Sequence, residues 1–133
     1  MKWTFQSDDA EAAYRVRDDL LSYLTARASD DSDLAAAVLI FAELVGNVVR
    51  HAPGPIAVDL YWADEHAILR VRDHGPGFEW LSDGPHVPDL FAESGRGLFI
   101  VATTARKVHV RRHPERGTEA TAYLPIRLRA PLA

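Results

Sequence analysis

Apolar residues recur at helical spacing in two stretches of the first fifty residues. From about residue 9 to 28 they indicate an amphipathic helix, and Asp8 followed by Glu11 is typical of a capping box at its start. A second helix is predicted from near Ser32, where Asp30-Asp31-Ser32 offers candidate N-caps, to His51, where Pro53-Gly54-Pro55 ends it. Its apolar stripe is predicted to face the core: Leu34, Val38, Phe41, Val45 and Val48.

Alternating residues predict strands over most of the remaining chain. The expected strands are a short edge strand at residues 2–6 and segments near 56–62, 68–72, 108–110 and 118–124. Residues 79–94 lack periodicity and are predicted to form a long loop that acts as a lid. A helix after Gly97 is expected to bury one face, and the tail after Pro125 is expected to fray; the residues of that buried face are Leu98, Val101, Ala102 and Ala105.

Size and composition indicate an ordinary globular domain. The 133 residues are 47% apolar and 26% charged, which predicts one domain over residues 1–133 with a true core. There is no cysteine, so disulfides and thiolate metal sites are excluded. We expect no apolar run to approach the ~18 residues of a membrane span, and there is no signal-peptide pattern, so the expectation is a cytoplasmic protein without membrane contact. The net charge of −4 predicts no direct nucleic-acid partner.

The second half of the predicted central helix carries a row of polar side chains. Glu43, Asn47, Arg50 and His51 cluster opposite the apolar stripe, and Glu43 stacks one turn before Asn47. Taken alone, this pattern is also typical of a solvated surface with cations near the helix C-terminus. Asn47 offers a hard oxygen suited to Mg²⁺, and Glu43 could accept a proton in phosphoryl transfer.

Asp73 is predicted to end a strand on its apolar face, where a buried carboxylate needs a donor. The glycines that follow it, Gly75 and Gly77, would let a flat group lie against the backbone, although an ordinary turn has the same sequence. Thr118 starts the last strand and could bond in the same pocket, or it could simply be a structural strand residue.

Gly95-Arg96-Gly97 opens the last predicted helix, where free N–H groups and the helix dipole favour phosphate. Glycines also occur at helix starts for turn geometry alone. The chain has no P-loop, no dinucleotide-binding glycine motif, no Gly-x-Ser-x-Gly elbow and no zinc-type histidine spacing.

In their order along the chain, these stretches resemble the ATP-binding boxes of the GHKL superfamily, whose domain is the Bergerat fold. Glu43–Ala52 resembles the N box, and Asp73–Gly77 resembles the Asp-x-Gly-x-Gly box, whose Asp reads the adenine amino group. Residues 95–101 resemble the second glycine box, and Gly117-Thr118 resembles the late Gly-Thr near adenine. The resemblance implies an α/β two-layer sandwich with a mixed, mostly antiparallel sheet and helices on one face.

The resemblance also implies the cofactors and the roles of single residues. ATP and Mg²⁺ are the expected cofactors, Glu43 the catalytic base and Asn47 the metal ligand. The expected ATP-binding residues are Asn47, Arg50, His51, Asp73, Gly75, Gly77, Gly95, Arg96, Gly97, Leu98 and Thr118.

Within the superfamily, the chain most resembles the anti-sigma factor serine kinases in its single-domain length and in its Gly-Arg-Gly-Leu-Phe sequence. This resemblance implies a cytoplasmic homodimer that sequesters a sigma factor and phosphorylates a STAS-domain antagonist on serine. Two alternatives remain open: a non-catalytic module that switches a partner in response to ATP, and a stand-alone histidine-kinase-like ATPase domain acting on another partner.

Overall fold

Two helices form one layer of the fold. The computed structural model describes residues 1–75 and 100–130, and within them α1 is Ala10–Arg27 and α2 is Leu34–His51. The capping carboxylates are those of Asp9 and Asp33, each accepting from the backbone N–H three residues on at 3.0 Å. The predicted caps, Asp8 and Asp30–Ser32, were therefore wrong by one residue or more. For α2 the reason is tertiary, because the Asp33 N–H is held by the Pro125 carbonyl at 2.9 Å.

Within the described residues, five strands form the second layer in the order β1-β2-β3-β5-β4. All four pairings among the described strands are antiparallel, so the predicted mixed character is not seen in this part of the chain. Asp64 and Glu65, with φ of 48° and 71°, make the tight turn between β2 and β3. The strands are β1 (Lys2–Gln6), β2 (Pro55–Ala63), β3 (His66–Asp73), β4 (Lys107–Arg112) and β5 (Thr118–Arg127).

The core lies between the helix layer and one face of the sheet. α2 packs on β5 and β3, and α1 packs on α2 and β1. Leu34 and Val38 are only partly buried, because the buried stripe of α2 is centred closer to Ile40 and Leu44 than the sequence predicted. The fully enclosed residues include Leu20, Leu24, Ile40, Ile56, Val58, Leu60, Leu69, Leu124 and Ile126.

α2 is long and apolar enough to cross a membrane by length and composition alone, with a mean hydropathy of 1.5. The expectation that no run approaches this length was wrong, since Glu43 is the only charge between Leu34 and Val49. In the fold, 44% of this helix is buried, and its apolar character serves contact with both α1 and the sheet.

The C-terminal stretch is more ordered than predicted. β5 extends to Arg127 and Ile126 is fully buried. The Ser29 N–H donates to the Arg127 carbonyl, and the Arg129 N–H donates to the Arg27 carbonyl, both at 2.7 Å. For residues 126–130 the predicted fraying is therefore wrong, because the segment that ends α1 pairs with them; residues 131–133 lie outside the described part of the chain.

The final predicted helix is described only from residue 100. Residues 100–104 are helical, and Val101 and Ala105 are buried as predicted. Ala102 is exposed, contrary to the prediction.

Candidate functional site

Three buried polar residues meet where α2, β3 and β5 come together. Asn47, Asp73 and Thr118 are exposed by only 1%, 1% and 4%, and they are the buried polar residues of the described chain. They line one cavity of about 10 Å³, close to the smallest volume that holds an ordered water. The remaining walls are apolar: Leu44, Val48, Val71, Val110 and Ala120. The sequence predicted all three polar residues and a pocket shared by Asp73 and Thr118, and the structure brings the three together in one cavity.

Among the described residues, Asp73 accepts hydrogen bonds through one oxygen only. Its Oδ1 accepts from the backbone N–H groups of Gly75, at 3.1 Å, and Thr118, at 3.3 Å. Its Oδ2 accepts none from any residue that the structure describes. Burial raises the pKa of Asp73, while the two N–H donors oppose that shift. Asp73 therefore keeps an acceptor oxygen available in a poorly hydrated place.

Two glycines bring the turns around Asp73 close together. Gly117 has φ +95°, and a Cβ there would lie 2.2 Å from the Asp73 carbonyl oxygen. At Gly75 a Cβ would lie 3.0 Å from the Cβ of Ala52, which follows α2. The expectation that Gly75 makes room for a flat ligand stays untested, and the structure supplies a packing reason for this glycine.

Asn47 lies inside the fold rather than on an open polar face, which corrects the predicted arrangement. The ends of β3 and β5 cover its side chain, whereas Glu43 is half-buried and Arg50 and His51 are exposed. Its Oδ1 accepts from Nη2 of Arg50 at 3.0 Å. Its Nδ2 is a buried donor without a hydrogen-bond partner among residues 1–75 and 100–130.

Sequence reasoning missed Gly46 as a part of this site. A Cβ on Gly46 would lie 3.2 Å from Nη1 of Arg50, so the glycine gives the guanidinium room to lie along the helix and reach Asn47. A glycine inside a helix costs ~1 kcal/mol relative to alanine. A helical glycine placed four residues before an arginine was therefore the signal in the sequence that could have identified Gly46.

Several predicted site residues lie outside the part of the chain that the structure describes. They are the lid at 79–94 and Gly77, Gly95, Arg96, Gly97 and Leu98. Within residues 1–75 and 100–130, no group of three or more acidic or histidine side chains could hold a metal ion. A metal bound here would need oxygens from a ligand beside Asn47 Oδ1, which is the usual situation for Mg²⁺ with phosphates.

The arrangement suits a flat polar ligand with a donor beside acceptors. The ligand's donor would meet Oδ2 of Asp73, and its acceptors would meet Nδ2 of Asn47 and the Thr118 hydroxyl, which is also buried without a partner among the described residues. Unmatched buried polar groups are costly, so a site that leaves Nδ2 of Asn47 and Oγ1 of Thr118 without a partner among the described residues favours a ligand that completes them.

Comparison with known proteins places this geometry in a family. The model of the histidine kinase-like ATPase domain matches residues 5–124. The signal transduction histidine-protein kinase AfsQ2 of Streptomyces coelicolor is 34% identical over 101 residues, which cover 65% of this chain and 19% of that protein. The sensor histidine kinase component HK1 of Mycobacterium tuberculosis is 36% identical over 101 residues, covering 65% of this chain and 58% of that protein.

A third relative extends further along the chain. The sensor protein CseC of Streptomyces avermitilis is 32% identical over 128 residues, covering 78% of this chain and 26% of that protein. The chain thus spans between about a fifth and three fifths of the lengths of these relatives. Among solved structures, full-length ShkA in complex with AMPPNP aligns with a TM-score of 0.55 at 21% identity, over 74% of this chain and 23% of ShkA, which shows a shared fold. The chain belongs to the histidine kinase-like ATPase domain family of the GHKL superfamily.

Proposed function

We propose that the chain binds ATP with Mg²⁺ at the site where Asn47, Asp73 and Thr118 meet. The observation that carries the proposal is that three atoms find no hydrogen-bond partner among the described residues: Oδ2 of Asp73, Nδ2 of Asn47 and Oγ1 of Thr118. Adenine presents an amino donor next to ring acceptors and would complete the groups of Asp73 and Thr118. The ATP analogue AMPPNP named for ShkA supports the choice of nucleotide.

Mg²⁺ would be held by Oδ1 of Asn47 together with phosphate oxygens, and it would neutralise part of the phosphate charge. Arg50 donates to that same oxygen, so its guanidinium stands next to where the phosphates would lie. The second glycine box, with Gly95, Arg96, Gly97 and Leu98, is proposed to hold the phosphates.

We further propose that the domain is an anti-sigma regulatory factor. It would sequester a sigma factor and phosphorylate a STAS-domain antagonist on serine, as a cytoplasmic homodimer without direct contact with nucleic acid or membrane. The four ordered boxes and a Glu one turn before Asn47 support this proposal. Glu43 is half-buried and engages no described residue by a hydrogen bond or ion pair, so its carboxylate is available as a base.

A second candidate is a stand-alone histidine-kinase-like ATPase domain that serves another partner. Its support is that the three relatives described above are named as sensor histidine kinases or sensor proteins. The chain matches only a part of each of them, so their whole activities need not apply to it. A non-catalytic module gated by ATP is the weakest of the three alternatives, because it gives Glu43 no role.

In the kinase proposal Glu43 acts on the hydroxyl of the incoming serine. The carboxylate accepts the hydroxyl proton while the serine oxygen bonds to the γ-phosphorus and ADP departs. Glu43→Gln keeps the side-chain size and removes the base. A general base typically contributes 10²–10⁴-fold in rate, so we expect transfer to fall by about that factor while ATP affinity stays near wild type.

The experiment measures transfer of labelled γ-phosphate to STAS-domain proteins of the same host. Wild type and Glu43→Gln are compared, with Glu65→Gln as a control because Glu65 is an exposed carboxylate in the β2–β3 turn. Loss of labelling in Glu43→Gln alone, with ATP binding intact by calorimetry, supports the serine kinase. Acid-labile labelling of a histidine would favour the histidine-kinase-like alternative, and tight ATP binding without any transfer would favour the gated module.

A further inference from the structure

The net charge of the chain conceals a division along the sequence. Residues 1–105 contain 8 Lys and Arg against 17 Asp and Glu, a formal charge of −9. Residues 106–133 contain 7 against 2, a formal charge of +5. Such asymmetry indicates that one surface meets an anionic partner, even though the whole chain is acidic.

The cations concentrate on β4, which is an edge strand of the described sheet. Lys107, Arg111 and Arg112 are exposed, as is Arg106 immediately before the strand. Glu119 pairs with Arg111 at 3.3 Å. No carboxylate of the described residues lies within 4 Å of Arg106, Lys107 or Arg112, so most of this charge is left uncompensated within the fold.

The backbone of β4 also has unpaired groups along its outer side. The His113 N–H donates to the Gly117 carbonyl at 2.9 Å, and the register continues from Arg112 opposite Thr118 to Lys107 opposite Tyr123. In an antiparallel ladder the bonded groups alternate. The N–H and C=O groups of Val108 and Val110 therefore point away from β5, toward the open edge.

Side chains along this edge alternate in chemistry. Lys107, His109 and Arg111 are exposed and share the sheet face that turns away from the helices, while Val108 and Val110 are half-buried on the helix side. Neighbouring side chains on one face of a strand are ~7 Å apart, which is the spacing of alternate residues in any extended peptide.

We propose that the β4 edge binds an extended acidic segment of a partner protein as an added strand. The partner's backbone pairs with the open groups of Val108 and Val110. Its acidic side chains, at every second position, meet Lys107, His109 and Arg111, and the apolar side chains between them cover the two valines. This mode, strand addition with alternating side-chain specificity, combines backbone bonds with charge recognition.

A simpler explanation of the same residues is that charge on an edge strand discourages aggregation. That explanation requires no partner and no sequence preference. It differs from the proposal in a measurable way, because it predicts that acidic and basic peptides are equally ineffective as ligands.

The probe is a fluorescent eight-residue peptide of alternating Glu and Val, titrated with the full 133-residue chain without nucleotide. We expect saturable binding that weakens as salt is raised. Lys107→Glu/Arg111→Glu should reduce affinity by about tenfold or more. The matched control is Arg15→Glu/Arg129→Glu, which changes the net charge equally at exposed positions outside β4 and should leave affinity within about twofold.

Two further ligands test the mode of binding. The same peptide with N-methyl groups on all its backbone nitrogens keeps the side-chain charges and loses the strand-pairing donors, so its binding should fall by about tenfold. A 12-nucleotide single-stranded DNA should bind more weakly than the peptide.

The proposal is overturned if a control peptide of eight residues with alternating Lys and Val binds as well as the Glu-Val peptide, or if the control double variant loses as much affinity as the β4 variant. Equal binding of the N-methylated peptide would exclude strand addition, and tighter binding of the DNA would assign the edge to nucleic acid. None of these outcomes depends on ATP binding, so they are independent of the proposed function.

Discussion

Two carboxylates lie on neighbouring strands and on opposite faces of the sheet. Glu119 of β5 faces away from the helices and lies within 3.5 Å of Nε of Arg70, 3.3 Å of Nη2 of Arg111 and 3.9 Å of Nε2 of His113. Asp73, at the end of β3, faces the helices, and among the described residues it accepts from two backbone N–H groups, both through Oδ1. One acid is surrounded by cations and the other keeps an oxygen open.

The comparison shows how a carboxylate that stabilises the fold differs from one that is available to bind a ligand. Arginine side chains already balance the charge of Glu119, so a ligand would add little to its hydrogen bonding or charge balance. Asp73 is buried without an ion-pair partner among the described residues, and burial raises its pKa. Folding alone gives no reason to place an incompletely bonded carboxylate there. The contrast therefore supports Asp73 as the group that the ligand completes.

Breaking the turn beside Asp73 should have the largest effect. Gly117→Ala places a Cβ 2.2 Å from the Asp73 carbonyl oxygen in addition to the strain of φ +95°. We expect a loss of about 2–4 kcal/mol in the free energy of unfolding, measured by urea denaturation. The control is Gly54→Ala, where φ is +141° but a Cβ meets nothing within 4 Å. Equal losses in the two variants would show that the contact with Asp73 contributes nothing.

Exchanging each carboxylate for an amide tests the comparison directly. Asn at position 73 can keep both backbone bonds through its oxygen, but its NH₂ group faces the ligand's amino donor. We expect Asp73→Asn to weaken ATP binding by about tenfold or more. Glu119→Gln should change ATP affinity by less than about twofold, because that side chain lies on the other face. Calorimetry that finds similar affinities for both variants would remove Asp73 from adenine recognition.

Two variants distinguish the role of Oδ1 of Asn47 in binding Mg²⁺ from the role of Arg50, whose guanidinium donates a hydrogen bond to that oxygen. Asn47→Ala removes the proposed ligand, so addition of Mg²⁺ should raise ATP affinity far less than in wild type. Arg50→Met removes the donor to Oδ1 but leaves that oxygen in place, so the effect of Mg²⁺ should persist. Titrations with ATP in the presence and absence of Mg²⁺ give the factor by which Mg²⁺ raises ATP affinity. If that factor falls to one in Arg50→Met and stays at the wild-type value in Asn47→Ala, the assignment is contradicted.

The smallest expected effect is the pH dependence of stability. Because burial raises the pKa of Asp73, the folded state binds this proton more tightly than the unfolded chain does. Its destabilising contribution is absent below the unfolded pKa and fully present once the pH exceeds the folded one. Asp73→Asn should therefore melt at a slightly higher temperature than wild type near neutral pH, by less than about 5 °C, with the gap closing toward about pH 4. If the difference in melting temperature between the two proteins instead widens on acidification, the pKa of Asp73 is lowered in the folded state and not raised.

The sequence determined most of the elements and supplied the candidate site residues. Periodicity located β1, α1 and α2 within a few residues, because burial of one face imposes its spacing on the chain. The spacing of polar residues and glycines was enough to identify Asn47, Asp73 and Thr118 as site candidates. The family resemblance indicated the ATPase-domain fold, which the comparisons confirm; the anti-sigma subgroup stays a proposal.

Tertiary structure decided what each of those residues faces. Helical spacing assigned Asn47 to an open polar face, but β3 and β5 cover it, since burial is set by what packs on a helix and not by the helix alone. The N-cap at Asp33 and the ordered end of β5 follow from hydrogen bonds between segments about ninety residues apart. The contacts of Gly117 with Asp73 and of Gly46 with Arg50 are likewise matters of distance in space, which no local pattern encodes.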